Sequence, residues 1–374
     1  MLLTAALVVL VLLALLAGFL LLRRPQPQRP SQAAPLPRPS RPAPAPATAE
    51  PVRAAPPLPP ELLALRSSFS LLPAEALDEA RRQTLLQALR RLPRPPRALQ
   101  ALVSPEFVQR ASSAQLAEIV TSEPAVAARV LAAVNSPLYG LQQPVASIGQ
   151  AIIFLGLSSV RAQCLHHLLD DAFRADDAAL QREFAILWRA SSIATELCQL
   201  LATRLRLGEP GPLVTLLVLS TLGRFAAALL LQRQSAGPAA PAGDGSRLQA
   251  LQDEQARLGL ASPEIGVLLM QAWALPASLA EEVRALGRLP LLAADSLDAP
   301  QGARLALCAY CARLGESLAR GEIASLAEID PLAQPGPDYA ALRDHLARPA
   351  LAGLGELLRG PECLRLLGRL QARA

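Results

Sequence analysis

From Glu61 to Ala374 the leucines and other apolar residues recur at helical spacing, in segments cut apart by Pro, Gly and Ser. Nowhere does the alternation of apolar and polar residues that marks a half-buried strand persist. Leu and Ala dominate, aromatic residues make up only 3% and β-branched residues are few, so helix is favoured over sheet. The expected fold class is all-α, a multi-helix bundle. The expected helices include 73–91, 113–121, 124–134, 148–155, 158–172, 181–206, 212–232, 247–258, 263–274, 276–286 and 301–319, with shorter ones towards the C-terminus. The stretch 238–245, PAAPAGDG, reads as a flexible loop.

Residues 2–22 carry no charge. At 1.5 Å per residue they give about 30 Å of helix, enough to cross a bilayer core. A secretory signal has a charged start, a shorter apolar run and a small-residue cleavage site. This run is longer and ends in Leu20-Leu21-Leu22, so an uncleaved transmembrane anchor is expected, with a cleaved signal and an exported helical protein as the alternative. Between Arg23 and Arg53 six arginines face one acid, a net charge of +5 that equals the whole-chain value. Such residues stay on the cytoplasmic side, which puts the rest of the chain in the cytoplasm. Fourteen prolines between residues 25 and 60 rule out a core there and predict an extended spacer, a solvated tether or one whose arginines lie on anionic lipid. The remainder is electrically balanced, so no nucleic acid is expected as a partner. Five scattered cysteines do not make a disulfide framework and suit a reducing compartment.

The least generic stretch is VNSPLYGLQQPVASIGQAIIFLGLSSV, residues 134–160. Pro124 opens a helix that Asn135-Ser136-Pro137 ends, Asn135 being a residue that tolerates the left-handed conformation. Tyr139-Gly140 makes a turn. Ser147 caps the next helix, with Gln150 three residues on as a capping box, and Gly156 ends it. The glycines are too far apart to cradle phosphate, and the stretch holds no Cys, His, Asp or Glu for metal or general-base chemistry. It reads as a structural joint. Asn135, Ser136, Tyr139, Gly140, Ser147, Gln150 and Gly156 are its signature residues and a candidate interaction loop, with Tyr139 the residue best placed for recognition.

The run EPAVAARVLAAVNSPLYGLQQPVASIGQAIIFLGLSSVRA, residues 123–162, closely resembles the signature of HDOD domains, the HD-related output domains of bacterial signalling proteins. The resemblance extends upstream to LPRPPRAL and downstream through LWRAS, LVLSTLGRF and EIGVLLMQAWALPASL, covering about 92–287. It implies a fold similar to that of metal-dependent phosphohydrolases, which hold metal ions on His and Asp to activate water. At the positions where such ligands would fall, this chain has Ala190, Ser220-Thr221, Pro263 and Gly287-Arg288. Those residues make poor ligands. The resemblance therefore implies a non-catalytic member without metal or cofactor.

Other candidates are weaker. His166, His167, Asp170 and Asp171 sit at i, i+4 spacing on one helix; ordinary surface pairing is expected, with a metal half-site for a divergent phosphodiesterase as the alternative. Cys308 and Cys311 fall inside a helix, where small buried residues are expected rather than a redox or zinc motif. Trp188 and Trp273 lie on apolar faces and are expected in the core. His345 is the only other histidine, and no nucleophile elbow accompanies it.

The expected organisation is a transmembrane helix 1–22, a Pro/Arg-rich linker 23–60, a helical lead-in 61–91, an HDOD domain 92–287 and a helical extension 288–374 that packs on the core or serves a homodimer. The expected role is a non-catalytic module on the bacterial inner membrane, single-pass with its C-terminal domain cytoplasmic, acting on an unidentified signalling protein or, as a lesser option, on a nucleotide.

Overall fold

The computed structural model describes residues 60–136, 139, 141–170, 172–175, 177–234 and 246–371. The expected membrane segment 1–22, the Pro-rich stretch to residue 59, the loop 238–245, Gly140 and Asp171 lie outside the described residues.

Among the described residues all regular structure is helical. The lead-in holds α1 (Pro60–Ser68) and, after a short 3-10 turn at Ala74–Ala76, α2 (Glu79–Arg90). The expected single helix 73–91 thus divides, because Asp78 turns extended and accepts the Arg81 N–H as a cap. Two short helices absent from the expected set follow, α3 (Arg97–Val103) and α4 (Pro105–Arg110). Then come α5 (Ser113–Thr121), α6 (Pro124–Val134), α7 (Ile148–Leu155) and α8 (Leu157–Asp170). Ser112 and Gln115 close a full capping box on α5.

The centre of the molecule is α9 (Ala178–Arg204), α10 (Pro210–Ser220), α11 (Leu222–Gln234), α12 (Arg247–Leu258), α13 (Ser262–Ala272) and α14 (Ala277–Arg288). The expected helix 212–232 is interrupted at Thr221. The Ser220 and Thr221 hydroxyls donate to the carbonyls of Leu217 and Val218 at 2.7 Å each, in competition with the backbone ladder. Taken together, 210–234 is long and apolar enough to cross a membrane, yet most of it is buried in this fold. It is core.

The C-terminal extension forms α15 (Ala299–Ala319), α16 (Pro337–Leu346), α17 (Leu354–Arg359) and α18 (Pro361–Gln371). It belongs to the same compact unit as the rest of 55–374, and α15 lies along α9 in the most extensive helix pairing of the fold. The lead-in is stapled down as well. Gln255 accepts the Leu72 N–H at 2.8 Å and donates to the Ser70 carbonyl at 3.0 Å. Glu264, wholly buried, accepts from the Ala74 N–H and from Arg284 and Arg288.

Two helix crossings depend on glycine. A Cβ on Gly223 of α11 would sit 1.9 Å from the Ser262 carbonyl oxygen, and one on Gly315 of α15 would sit 2.5 Å from that of Ala190. Backbone cannot yield as a side chain tip does, so overpacking here is expensive. Gly223→Ala is expected to destabilise the protein by about 3 kcal/mol in urea unfolding. Gly149→Ala, whose new Cβ meets only the Ser147 Oγ at 3.9 Å in α7, is expected to stabilise it by about 0.5–1 kcal/mol.

Candidate functional site

Helices α9 to α16 enclose a cavity of about 150 Å³. Ala190, Ser220, Thr221, Pro263 and Gly287 all line it. These residues come from four helices and are distant in sequence, yet they are the positions to which the resemblance assigns metal ligands. The fold brings them together around one space, and none carries a strong metal donor.

The cavity holds charge of another kind. Arg224 grips Glu316 in a two-bond fork, at 2.9 and 2.7 Å. Arg247 donates to Glu254 at 3.0 Å and to the Ser262 hydroxyl, while its backbone N–H donates to Asp338 at 2.9 Å. Arg313 meets Glu316 at 3.6 Å, Asp338 at 3.5 Å and Glu322 at 2.8 Å. Burial alone would raise the Glu316 carboxyl, but the charge and hydrogen bonds of Arg224, then Arg313 and Arg247, outweigh it and hold Glu316 well below the usual carboxylate range. Burial likewise works against the Arg224 cation, and Glu316 more than offsets it. Glu316, Arg313 and Asp338 all lie in the C-terminal extension, which therefore completes the cavity. Sequence reasoning missed this network, since no local signal ties Arg224 to a residue in another segment.

The histidines do not converge on a site. His166 packs against the Trp188 ring with centroids 5.6 Å apart, and its two nitrogens face Ser191 at 3.0 Å and Ser192 at 3.4 Å. Ser191 lines the cavity, so the pair has the outline of a serine–histidine dyad. Burial, helped by His167, pushes the imidazole down to about 3, which makes it a feeble base at neutral pH. Asp170 instead pairs with Arg129 at 3.7 Å. His345 is buried with its Nε2 on the Leu292 carbonyl at 2.9 Å. Among the described residues no group of three or more His, Cys, Asp or Glu is placed to hold a metal ion.

The cysteines of the described residues are free and buried. Cys308 and Cys311 face α9, with the Cys198 and Cys308 sulfurs 3.9 Å apart. Burial pushes the Cys164 thiol up to about 12, so it is inert at neutral pH. Trp188 and Trp273 join Phe173, Phe184 and Phe225 in one aromatic cluster, as the apolar faces implied.

The 134–160 joint is built as a joint, with two corrections. Asn135 is not left-handed, having φ −82°. It holds the loop by its side chain, which accepts from the Val145 N–H at 2.7 Å and donates to the Val145 carbonyl at 2.8 Å. Ser147 caps α7 as expected, but Gln150 reaches back to the Ala146 N–H, one residue before the cap. Gly156 takes φ +85°. The Ser136 hydroxyl is buried without a hydrogen-bond partner. Tyr139 packs edge-on against Phe154, with centroids 5.7 Å apart. The outer side of α7 leaves Ile153 86% and Phe154 47% exposed, a pair the sequence reading passed over. Arg161, just past the joint, is fully buried and donates to the carbonyls of Gly211 and Val108. Burial lowers it to about 10.

A helical fold around a cavity lined by Ala190, Ser220, Thr221, Pro263 and Gly287 defines the class. The HDOD domain family matches over residues 92–287, more than half of the chain, and the protein belongs to that family. Among solved structures, an HDOD domain protein of unknown function from Geobacter sulfurreducens is 18% identical, with a TM-score of 0.50 over 77% of this chain and 98% of its own. A protein from Shewanella amazonensis SB2B, provisionally named a phosphohydrolase, is 21% identical over 76% of this chain and 97% of its own, with a TM-score of 0.49. One from Marinobacter aquaeolei VT8, provisionally named a signal transduction protein, is 19% identical over 82% of this chain and 68% of its own, with a TM-score of 0.49. At these identities the likeness is one of fold. No curated protein matches the chain.

The His166 environment gives a pH signature. Its ordinary value is 6.5 and its folded value about 3. Below 6.5 the unfolded chain takes up a proton that the folded chain refuses. Stability is thus at its full value above pH 6.5 and falls as pH drops towards 3, by about 1 kcal/mol per pH unit. His166→Gln is expected to flatten this decline between pH 6.5 and 5 in urea titrations, where few carboxylates titrate.

Proposed function

We propose that this protein is a non-catalytic signalling module, an output or scaffold unit that works by contact with another signalling protein, held at the bacterial cytoplasmic membrane by residues 2–22 and the Pro/Arg-rich tether. The observation that carries the reading is the cavity. The positions a phosphohydrolase would use for metal hold Ala190, Ser220, Thr221, Pro263 and Gly287, and the charge beside them is spent in the Arg224–Glu316 fork. None of these side chains is a strong metal donor, and burial makes the neighbouring His166 a feeble base. The divergent-phosphodiesterase alternative loses support because His166 is engaged by two serines and Asp170 by Arg129. The membrane part of the reading rests on the uncharged run 2–22 and the arginines that follow it.

Two experiments test this. The full chain, purified without a His tag, is expected to hold far less than one transition metal ion per chain and to leave bis(p-nitrophenyl) phosphate unhydrolysed with or without added manganese. Near-stoichiometric metal, with hydrolysis abolished by His167→Ala, would overturn the non-catalytic reading. On fractionation the full chain is expected in the membrane pellet and released by detergent but not by high salt; recovery in the soluble periplasmic fraction would overturn the membrane reading.

A further inference from the structure

We propose that the outer side of the corner between α2 and α3, carrying Arg90, Arg91, Arg94 and Arg97, is a docking surface for an anionic lipid bilayer. The inference rests on the reading of this chain as membrane-held. Three observations carry it.

The first is unanswered charge. Residues 54–374 are electrically balanced, yet between Ala80 and Pro105 there are six arginines and no acid. Arg81 and Arg82 are answered from just upstream, by Asp78 at 3.4 Å and Glu79 at 2.6 Å. The other four are exposed and meet no carboxylate among the described residues. Arg94 gives an N–H to the Ala272 carbonyl at 3.2 Å, which leaves the rest of its fork for a phosphate.

The second is presentation. Leu89 and Leu92 pin the corner from one end, Ala98 and Leu99 from the other, and all are buried. Between them Pro93, Pro95 and Pro96 fix φ and remove backbone freedom. Gln100 adds a bond of 3.1 Å to the Trp273 carbonyl. With the apolar residues turned inwards, the guanidiniums stand on an already ordered backbone, so less entropy is lost on contact.

The third is what the surface lacks. None of the four arginines lines the central cavity, so a free phosphate or nucleotide finds no enclosure. No Phe, Tyr or Trp falls between residues 80 and 105, so single-stranded nucleic acid has no ring to stack on. An open, rigid row without aromatics matches a partner that spreads its phosphates over a plane. Anionic headgroups do so, and each arginine near them favours contact about fivefold. The uncharged run 2–22 and the basic tether lead along the chain into this same segment. Docking holds the domain in one orientation, so the anionic lipid content of the leaflet controls which of its surfaces a partner reaches.

The test uses the full chain reconstituted into nanodiscs of phosphatidylcholine, with or without about 30% phosphatidylglycerol. Gln87→Cys, at an exposed position one helical turn before Arg91, carries a fluorophore; the native cysteines are buried and escape labelling. Quenching by lipid spin-labelled at the headgroup reports contact. Strong quenching is expected with phosphatidylglycerol, little without it, and a loss in high salt. Changing Arg90, Arg91, Arg94 and Arg97 together to Gln is expected to abolish it. Arg91→Gln alone is expected to lower the docked-to-undocked ratio about fivefold, and the same four arginines changed to Lys to retain docking. An unchanged circular dichroism spectrum and unfolding midpoint show that the variants fold. Equal quenching in both lipid mixtures, or undiminished quenching in the fourfold glutamine variant, would overturn the proposal. So would release of the label from the disc by an equimolar single-stranded oligonucleotide or polyglutamate peptide, which would assign the surface to an acidic macromolecule. A chain that fails to enter the discs sinks the membrane reading and the docking surface with it; a chain that enters them with its label unquenched sinks the docking surface alone.

Discussion

The fork between Arg224 and Glu316 is the contact on which the rest of the structure turns. Arg224 stands on α11, inside the family domain, and Glu316 on α15, outside it. Burying two charges costs several kcal/mol each, which only close pairing and further hydrogen bonds recover. Here the recovery is shared. Arg313 and Arg320 also approach Glu316, and Arg320 reaches on to Glu183 at the start of α9. The network thus binds three helices from two segments into one unit; loss of Glu316 would take the forked carboxylate from Arg224, whereas loss of Arg224 would leave Glu316 to Arg313 and Arg320.

That constraint explains the character of the cavity. The fold gathers residues from α9, the end of α10, α13 and α14 around one cavity. Ala190, Ser220, Thr221 and Pro263 line it together with leucines, and the polar edge is supplied by the C-terminal helices. Gly223 and Gly315 let the helices approach closely enough for this to happen. Family membership describes the shape of the site, and the side chains must describe its use.

Much of this was legible in the sequence, for physical reasons that differ by element. The bounds of α5, α6, α7 and α12 could be read to the residue, because Ser112, Pro124, Ser147, Ser246 and Gly259 act on their immediate neighbours. The meeting of Ala190, Ser220, Thr221, Pro263 and Gly287 was legible because the family motif fixes their place. The break at Thr221 was not, since a hydroxyl returning to a carbonyl leaves no mark in hydrophobic periodicity. The left-handed expectation for Asn135 failed because the residue finds its partner ten positions away in Val145. Nor could the sequence reveal that Asp338 and Glu316 complete the cavity, or that Ile153 and Phe154 face outwards; both depend on packing between distant segments.

The central claim is that a buried ion pair between the family domain and the C-terminal helices holds the central cavity together. A double-mutant cycle tests it most directly. Unfolding free energies of Arg224→Gln, Glu316→Gln and the double variant would be measured in urea at neutral pH. The account predicts that each single change costs about 3 kcal/mol and that the two are coupled by about 2 kcal/mol or more. Additive effects, within about 0.5 kcal/mol, would contradict it and return the fork to the status of an ordinary surface pair.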